Sequence, residues 1–119
     1  SFDELDVFMV FGSDAPVESC NPFLGLHAAV TRRRKDGSPN INGWHSEQRI
    51  SLQKALEAYS KNPAIQAGMG DRLGMIRPGY KADLIVLPVD PFQVSPHEIH
   101  TLKPVMTMVN GNIVLQKAA

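Results

Sequence analysis

Val7-Phe8-Met9-Val10-Phe11 is a run of five apolar residues that ends at Gly12, and the acid Asp14 follows just beyond it. A run without polar alternation is typical of a strand covered on both faces, as in the parallel sheet of an α/β fold. Functional residues in such folds follow the carboxyl ends of the strands. From its position alone, Asp14 is either a turn or helix-capping acid, or a metal ligand or catalytic base.

The composition narrows the classes of partner. The 119 residues include 12 basic and 12 acidic side chains, so the formal net charge is zero. Binding to nucleic acid or to a membrane surface needs a basic excess, and we therefore expect neither partner. Cys20 is the only cysteine, so no intrachain disulfide can form and a reducing compartment is expected. No apolar run reaches membrane-spanning length. These features predict a cytoplasmic protein.

Two helix starts are recognisable in the first half of the chain. Asn21 followed by Pro22 is typical of a helix beginning, because Asn is a favoured N-cap and Pro is favoured at the first helical position. Ser51 is a good cap for a second helix, and Pro63 restarts a short third helix that ends at Gly68. We therefore expect two or three helices before residue 70.

A long polar segment over residues 35–49 separates the first two predicted helices. Irregular segments of this length are uncommon in compact domains and are often functional lids or disordered segments. Trp44 and His45 lie in its middle. They are the kind of anchor that a lid over a binding site would use, or else Trp44 pins the loop to the core. The residues alone leave both interpretations open.

The last fifty residues predict a small antiparallel β unit of three or four strands. Pro78-Gly79 is a turn signal, and residues 82–87 form a strong strand pattern. Two further strand patterns, 105–109 and 112–115, flank Asn110-Gly111. That pair favours a hairpin, because a type I′ turn needs a positive φ at both central positions.

The histidines are candidate ligands, but their spacing is not typical of a metal site. The four are His27, His45, His97 and His100. His27 lies beside the apolar stripe of the first predicted helix and is interpreted as a partly buried structural histidine. The pair His97-x-x-His100 is interpreted as two surface histidines.

Taken in order, these motifs resemble the C-terminal part of the amidohydrolase superfamily. Gly12-Ser13-Asp14-Ala15-Pro16-Val17, with Asn21-Pro22-Phe23 after it, looks like the last barrel strand of the amidohydrolase-3 group, the YtcJ-like metal-dependent hydrolases related to N-substituted formamide deformylase. Residues 43–56 resemble that group's entry into the following helix. Residues 71–87 and 105–114 are similar to its return into a small β-sandwich and to its closing hairpin. The resemblance covers nearly the whole chain.

The resemblance implies an α/β fold, a (β/α)8 TIM-like barrel carrying a β-sandwich built from both chain ends. Residues 1–69 would then be the last strand and helices of the barrel, and residues 70–119 the C-terminal strands of the sandwich. The family binds one or two divalent ions, usually zinc, and acts on small-molecule amide-type substrates. Asp14 matches the family aspartate that binds the metal or its water and serves as general base and then general acid. Bound zinc lowers the pKa of water to about 7, so a nearby carboxylate can take that proton at neutral pH.

The chain departs from the family pattern in its other ligands. The family's His-x-His pair, its central Lys or Glu and its further histidines have no counterpart here. We therefore expect a C-terminal portion of such an enzyme that alone is inactive and binds no stoichiometric zinc. Asn21, Trp44 and His45 are expected to border the substrate mouth. A barrel strand without its neighbours also predicts self-association into a homo-oligomer, by strand swapping or edge-to-edge pairing.

A different class of protein remains open at this point. The chain could be a non-catalytic α+β interaction module whose β unit binds a partner, with Asp14 only a turn acid. The missing ligands and the neutral charge favour that alternative.

Overall fold

The computed structural model describes residues 4–5 and 7–117. Three α-helices occupy the first part of the chain and three β-strands the last part, with a short 3₁₀ helix in each part. The helices are α1 (Pro22–Thr31), α2 (Leu52–Tyr59) and α3 (Lys61–Gln66), the strands are β1 (Leu84–Val86), β2 (Met106–Val109) and β3 (Asn112–Gln116), and the 3₁₀ helices are Ser46–Gln48 and Pro96–Thr101. Within the described residues, none of the helices has the length and apolar content needed to cross a membrane.

Both predicted helix caps are confirmed. The side-chain oxygen of Asn21 accepts a hydrogen bond from the backbone N–H of Phe23 at 3.0 Å, and Pro22 is the first residue of α1. The Ser51 hydroxyl accepts from the N–H of Lys54 at 3.3 Å at the start of α2. Each contact satisfies one of the backbone donors that a helix leaves unpaired at its first turn.

The core lies where α1 meets α2 and the 3₁₀ helix Pro96–Thr101. Because α1 presents apolar residues to both neighbours, one cluster joins the helical part of the chain to the segment that leads into β2. Its six buried members are Phe23, Leu26, Ile50, Ala55, Ile99 and Leu102. Ile99 is 1 % exposed, so the short 3₁₀ helix also contributes a fully buried side chain to this core.

The three strands form one antiparallel sheet in the order β1-β2-β3, which confirms the predicted β unit. Leu84 pairs with Met108 between β1 and β2. The hairpin between β2 and β3 turns at Asn110-Gly111, whose φ values of 49° and 81° are the positive values that the sequence predicted. A register irregularity between Thr107 and Met108 interrupts the ladder to β3.

The prediction of a doubly covered strand at 7–11 is wrong for this structure. The segment is extended but belongs to no sheet, and Val7 and Phe8 are 42 % and 56 % exposed. Its backbone bonds to helices instead: the N–H of Phe11 donates to the carbonyl of Ala58 at 2.8 Å, and the Asn62 side chain donates to the Met9 carbonyl at 2.8 Å. A parallel strand needs parallel neighbours, and the described strands are all paired antiparallel with one another. The barrel and the β-sandwich remain predictions.

Replacing Asn21 with Ala should lower the free energy of unfolding by about 1 kcal/mol, because the first-turn donor of α1 loses its side-chain acceptor. Asn21→Ser is the matched control, since Ser also caps helices and should retain most of the stability. Urea unfolding followed by circular dichroism measures both. Equal stability of the Ala and Ser variants would contradict the role of this cap.

Candidate functional site

Asp14 lies in an exposed turn over residues 14–17, close to the N-terminus of α1. Its φ of 50° places it in the left-handed region, which Asp and Asn adopt more readily than other non-glycine residues. The N–H of Val17 donates to the Asp14 carbonyl at 2.9 Å and closes the turn. The Asp14 side chain is exposed. The turn therefore presents a carboxylate to solvent just after the extended segment 7–11, at the position that the sequence predicted.

A cleft of about 800 Å³ runs beside this turn and along α1. Ser13 and Glu18 line it on the side of the turn, and Asn21 lines it at the helix start. A volume of this size suits a small molecule. The side-chain oxygen of Asn21 is already used by the helix cap, so this residue shapes the cleft through a fixed orientation.

Trp44 and His45 lie at the other end of α1. The Trp44 ring is 5.1 Å from the Arg32 guanidinium, and Arg32 Nε donates to the Trp44 carbonyl at 3.1 Å. His45 packs edge-on against the Trp44 ring at 4.5 Å between centroids, and its Nδ1 is 3.0 Å from a carboxylate oxygen of Glu47. The Glu47 pKa is lowered, first by its own backbone N–H and then by this His45 contact. The loop is thus held by the C-terminal end of α1.

The structure therefore does not bring Asp14 and the three predicted mouth residues together. Asn21 precedes α1, beside the Asp14 turn, whereas Trp44 contacts Arg32, the residue that ends α1. A ten-residue helix is about 15 Å long, and this length separates the two groups. Trp44 is 61 % exposed, so it is not pinned in the core either.

Histidines that were predicted to be structural or surface residues lie together along α1 and just beyond its end. His27 is 4 % exposed, and its ring lies 4.8 Å from that of His100. Arg33 Nη1 lies 3.0 Å from His97 Nδ1. The burial of His27 confirms its structural interpretation. The prediction of two surface histidines holds for His97 and is wrong for His100, which is only partly exposed because the 3₁₀ helix Pro96–Thr101 packs that ring against α1.

No group of three or more His, Cys, Asp or Glu side chains suited to holding a metal ion is found within residues 4–5 and 7–117. Zinc sites in proteins use three or four protein ligands. The exposed Asp14 is a single candidate ligand, so the donors that the described part of the chain offers do not make a complete site.

Comparison with known proteins identifies the family. The family model described as Amidohydrolase family (Amidohydro_3) matches residues 3–115, nearly the whole chain. This chain belongs to the amidohydrolase family. The match confirms the resemblance to the amidohydrolase-3 group that the sequence motifs carried. No solved structure matches the chain.

Three curated relatives are similar to this amidohydrolase chain. YtcJ of Bacillus subtilis (strain 168), named as an amidohydrolase, is 34 % identical over 107 residues, covering 90 % of this chain and 20 % of the relative. The N-substituted formamide deformylase of Arthrobacter pascens is 31 % identical over 99 residues, covering 83 % and 18 %. The imidazolonepropionase of Kosmotoga olearia is 25 % identical over 118 residues, covering 97 % and 25 %. The chain thus spans about a fifth to a quarter of these relatives.

Gly43 tests how closely the loop is held to α1. Its φ is +77°, and an added Cβ would collide with the carbonyl oxygen of Thr31. Gly111 has a similar φ of +81°, but a Cβ there meets no atom within 4 Å. Gly43→Ala should therefore lower the free energy of unfolding by about 1–3 kcal/mol more than Gly111→Ala does. Both substitutions place a Cβ on a residue with a similar positive φ, and only the first adds a steric clash.

The comparison is made by urea unfolding of the two variants and the parent chain. Since the two glycines have similar φ values, the difference in stability between the variants isolates the contact between the loop and α1. Equal losses of stability would show that the loop moves freely away from Thr31.

Proposed function

We propose that the protein containing this chain is a metal-dependent hydrolase of non-peptide C–N bonds, with Asp14 as its general base and general acid. Family membership is the single observation that carries this proposal. The names of the relatives support it, since they include an amidohydrolase, a formamide deformylase and an imidazolonepropionase. The proposed substrate is a small amide, formamide or cyclic amide.

The position of Asp14 suits that role. The turn exposes its carboxylate after the extended segment 7–11, and the preceding residue, Ser13, lines a cleft large enough for a small molecule. Amide hydrolysis needs a proton removed from the attacking water and a proton delivered to a poor amine leaving group. One carboxylate that first accepts a proton and then donates it meets both needs.

The divalent ion that we propose is zinc, and it requires ligands beyond Asp14. The described residues supply no cluster for it, so we derive no catalytic step from a metal. That the 119-residue chain alone hydrolyses no amide stays a prediction. In this proposal residues 1–69 complete a barrel and residues 70–119 complete a β-sandwich, with the remaining strands supplied by the rest of a cytoplasmic parent protein.

Asp14→Asn should lower kcat of the full-length enzyme by about 10²- to 10⁴-fold, the usual contribution of a general acid–base group. Asn tolerates the left-handed backbone as well as Asp does, so the turn should be retained. Asp71→Asn, an exposed acid in the second half of the chain, is the matched control and should leave kcat unchanged. Hydrolysis of N-substituted formamides and cyclic amides, with added zinc, is the assay. Full turnover by Asp14→Asn would refute the assignment.

A second candidate, an interaction module, is supported by the sheet. All five residues of β3 are exposed, including Ile113, Val114 and Leu115 at 52 %, 61 % and 45 %. β3 is also an edge strand of the sheet. An exposed apolar edge of this kind favours pairing with another chain, either the rest of the parent or a second copy.

The isolated chain should accordingly self-associate in a concentration-dependent way. Val114→Lys should weaken this association, because a charge on an edge strand opposes edge-to-edge pairing. Val17→Lys, at a residue that is 75 % exposed but outside the sheet, should not. Sedimentation velocity over a range of concentrations distinguishes the variants. A parent chain that stays monomeric at the highest concentration would contradict the prediction.

A further inference from the structure

Two histidine rings meet inside the interface between α1 and the 3₁₀ helix Pro96–Thr101. His27 projects from α1 and is 4 % exposed. His100 comes from the 3₁₀ helix, and the two ring centroids lie 4.8 Å apart at an interplanar angle of 71°. Ile99 and Leu102, on either side of His100 in sequence, belong to the buried core. The ring pair therefore lies where the helical part of the chain is joined to the β part.

His100 presents an unpaired nitrogen to this interface. Its Nδ1 is buried and has no hydrogen-bond partner among the described residues. The described residues therefore offer no acceptor at this point of the interface, where an unpaired buried donor would be costly.

The surroundings of His27 oppose a positive charge as well. Its pKa is lowered, first by burial and then by the charges of His100, His97 and Arg33, while a hydrogen bond involving the Arg33 backbone acts in the opposite direction. Arg33 is fixed nearby, because its Nε donates to the Gly37 carbonyl at 3.1 Å and its Nη1 lies 3.0 Å from His97 Nδ1. A proton on His27 would thus add a positive charge near the Arg33 guanidinium.

The acids on the elements around the two rings are either hydrogen-bonded to other groups or exposed to solvent. On α2, Glu57 accepts a hydrogen bond from Gln53 of its own helix, and the pKa of Tyr59 is raised by burial, so that its phenol stays neutral. The cation Lys54 also lies on α2. Glu98, on the 3₁₀ helix, is exposed, and Asp36 accepts from the N–H of Ser38. The titratable groups on α2 and the 3₁₀ helix are Lys54, Glu57, Tyr59, His97 and Glu98, beside the two rings. The cleft that His27 lines is also lined by Glu18, Arg33, Arg34, Lys35 and Asp36.

We propose that His27, packed against the His100 ring, is a pH-sensitive latch, which holds the 3₁₀ helix Pro96–Thr101 against α1 while His27 is neutral and releases it when His27 is protonated. The proposal does not depend on the catalytic role of Asp14. Release would free the segment that leads into β2, because Ile99 and Leu102 anchor that segment to the core beside the rings.

The sign of the pH effect follows from proton linkage. An unfolded histidine has a pKa of about 6.5, and the folded pKa of His27 lies below its ordinary value. Between the two values the unfolded chain binds more protons than the folded chain. The stabilising contribution of the neutral ring is therefore complete above about pH 6.5 and is lost as the pH falls towards the folded pKa.

The first test measures the 119-residue chain between about pH 7.5 and about pH 5, the range in which histidines titrate. The unfolding equilibrium constant should rise as the pH falls, by at most about tenfold per pH unit for one group. An NMR titration should find His27 protonating below the usual histidine range. Stability that is flat across this range, or a His27 that titrates at or above its ordinary pKa, would overturn the proposal.

The second test uses matched variants. His100→Gln keeps a polar side chain but cannot be protonated, so the pKa of His27 should rise and the slope of stability against pH should become smaller. Thr101→Ala changes an exposed residue of the same 3₁₀ helix that has no titratable side chain, and it should retain the parent slope. An unchanged slope in His100→Gln would refute the latch. The NMR titration of the parent chain is decisive by itself if a variant does not fold.

The third test asks whether the release is local. Hydrogen exchange, corrected for the intrinsic effect of pH, should become faster in residues 96–102 on acidification, where the Leu102 N–H donates to the Ile99 carbonyl. Exchange in α3, whose end is closed by a bond from the Met69 N–H to the Ala64 carbonyl, should change less. Equal acceleration in both segments would contradict a latch and indicate global loss of stability.

Discussion

The packing of α1 between α2 and the 3₁₀ helix Pro96–Thr101 is the constraint on which the rest of the structure depends. Phe23 and Leu26 of α1 meet Ile99 and Leu102 in one buried cluster. Full burial of such side chains contributes about 1.5–3 kcal/mol each, far more than the single hydrogen bonds that hold the loops. The same helix places the Asp14 turn at its beginning and the Trp44 loop at its end. The geometry of every candidate site residue thus depends on how α1 is docked.

Local signals in the sequence were sufficient for several elements. Asn21 and Ser51 cap the helices they were predicted to cap, and Asn110-Gly111 turns the predicted hairpin. In each case the deciding contact lies within a few residues, so the sequence pattern contains both partners. These elements account for most of the regular structure.

The failures share a physical cause, since they concern contacts between residues far apart in sequence. The five apolar residues at 7–11 predicted a buried strand, but burial needs partners, and here Phe11 bonds to Ala58. His100 was placed on the surface because nothing in its neighbourhood indicates that Pro96–Thr101 packs on α1. Trp44 was left open between a lid and the core; its exposed contact with Arg32 excludes the core, and the lid stays a prediction. The family resemblance made Asp14 a candidate, but it could not supply the ligands that the described residues lack.

The uneven burial of apolar residues bears on the two functional candidates. Helix α1 buries Phe23 and Leu26, whereas Val7 and Phe8 in the extended segment and Ile113 and Val114 on β3 stay more than 40 % exposed. Covering such side chains is favourable at about 25 cal/mol per Å² of apolar surface. A chain that spans about a fifth of its relatives leaves room for that cover in the rest of a parent protein. The exposed surfaces lie on the segment that leads to Asp14 and on the sheet, where the proposed barrel and sandwich would each continue. A partner that binds only the sheet would leave Val7 and Phe8 exposed. The proposed hydrolase would cover both exposed surfaces, because its barrel would continue at segment 7–11 and its sandwich at the sheet.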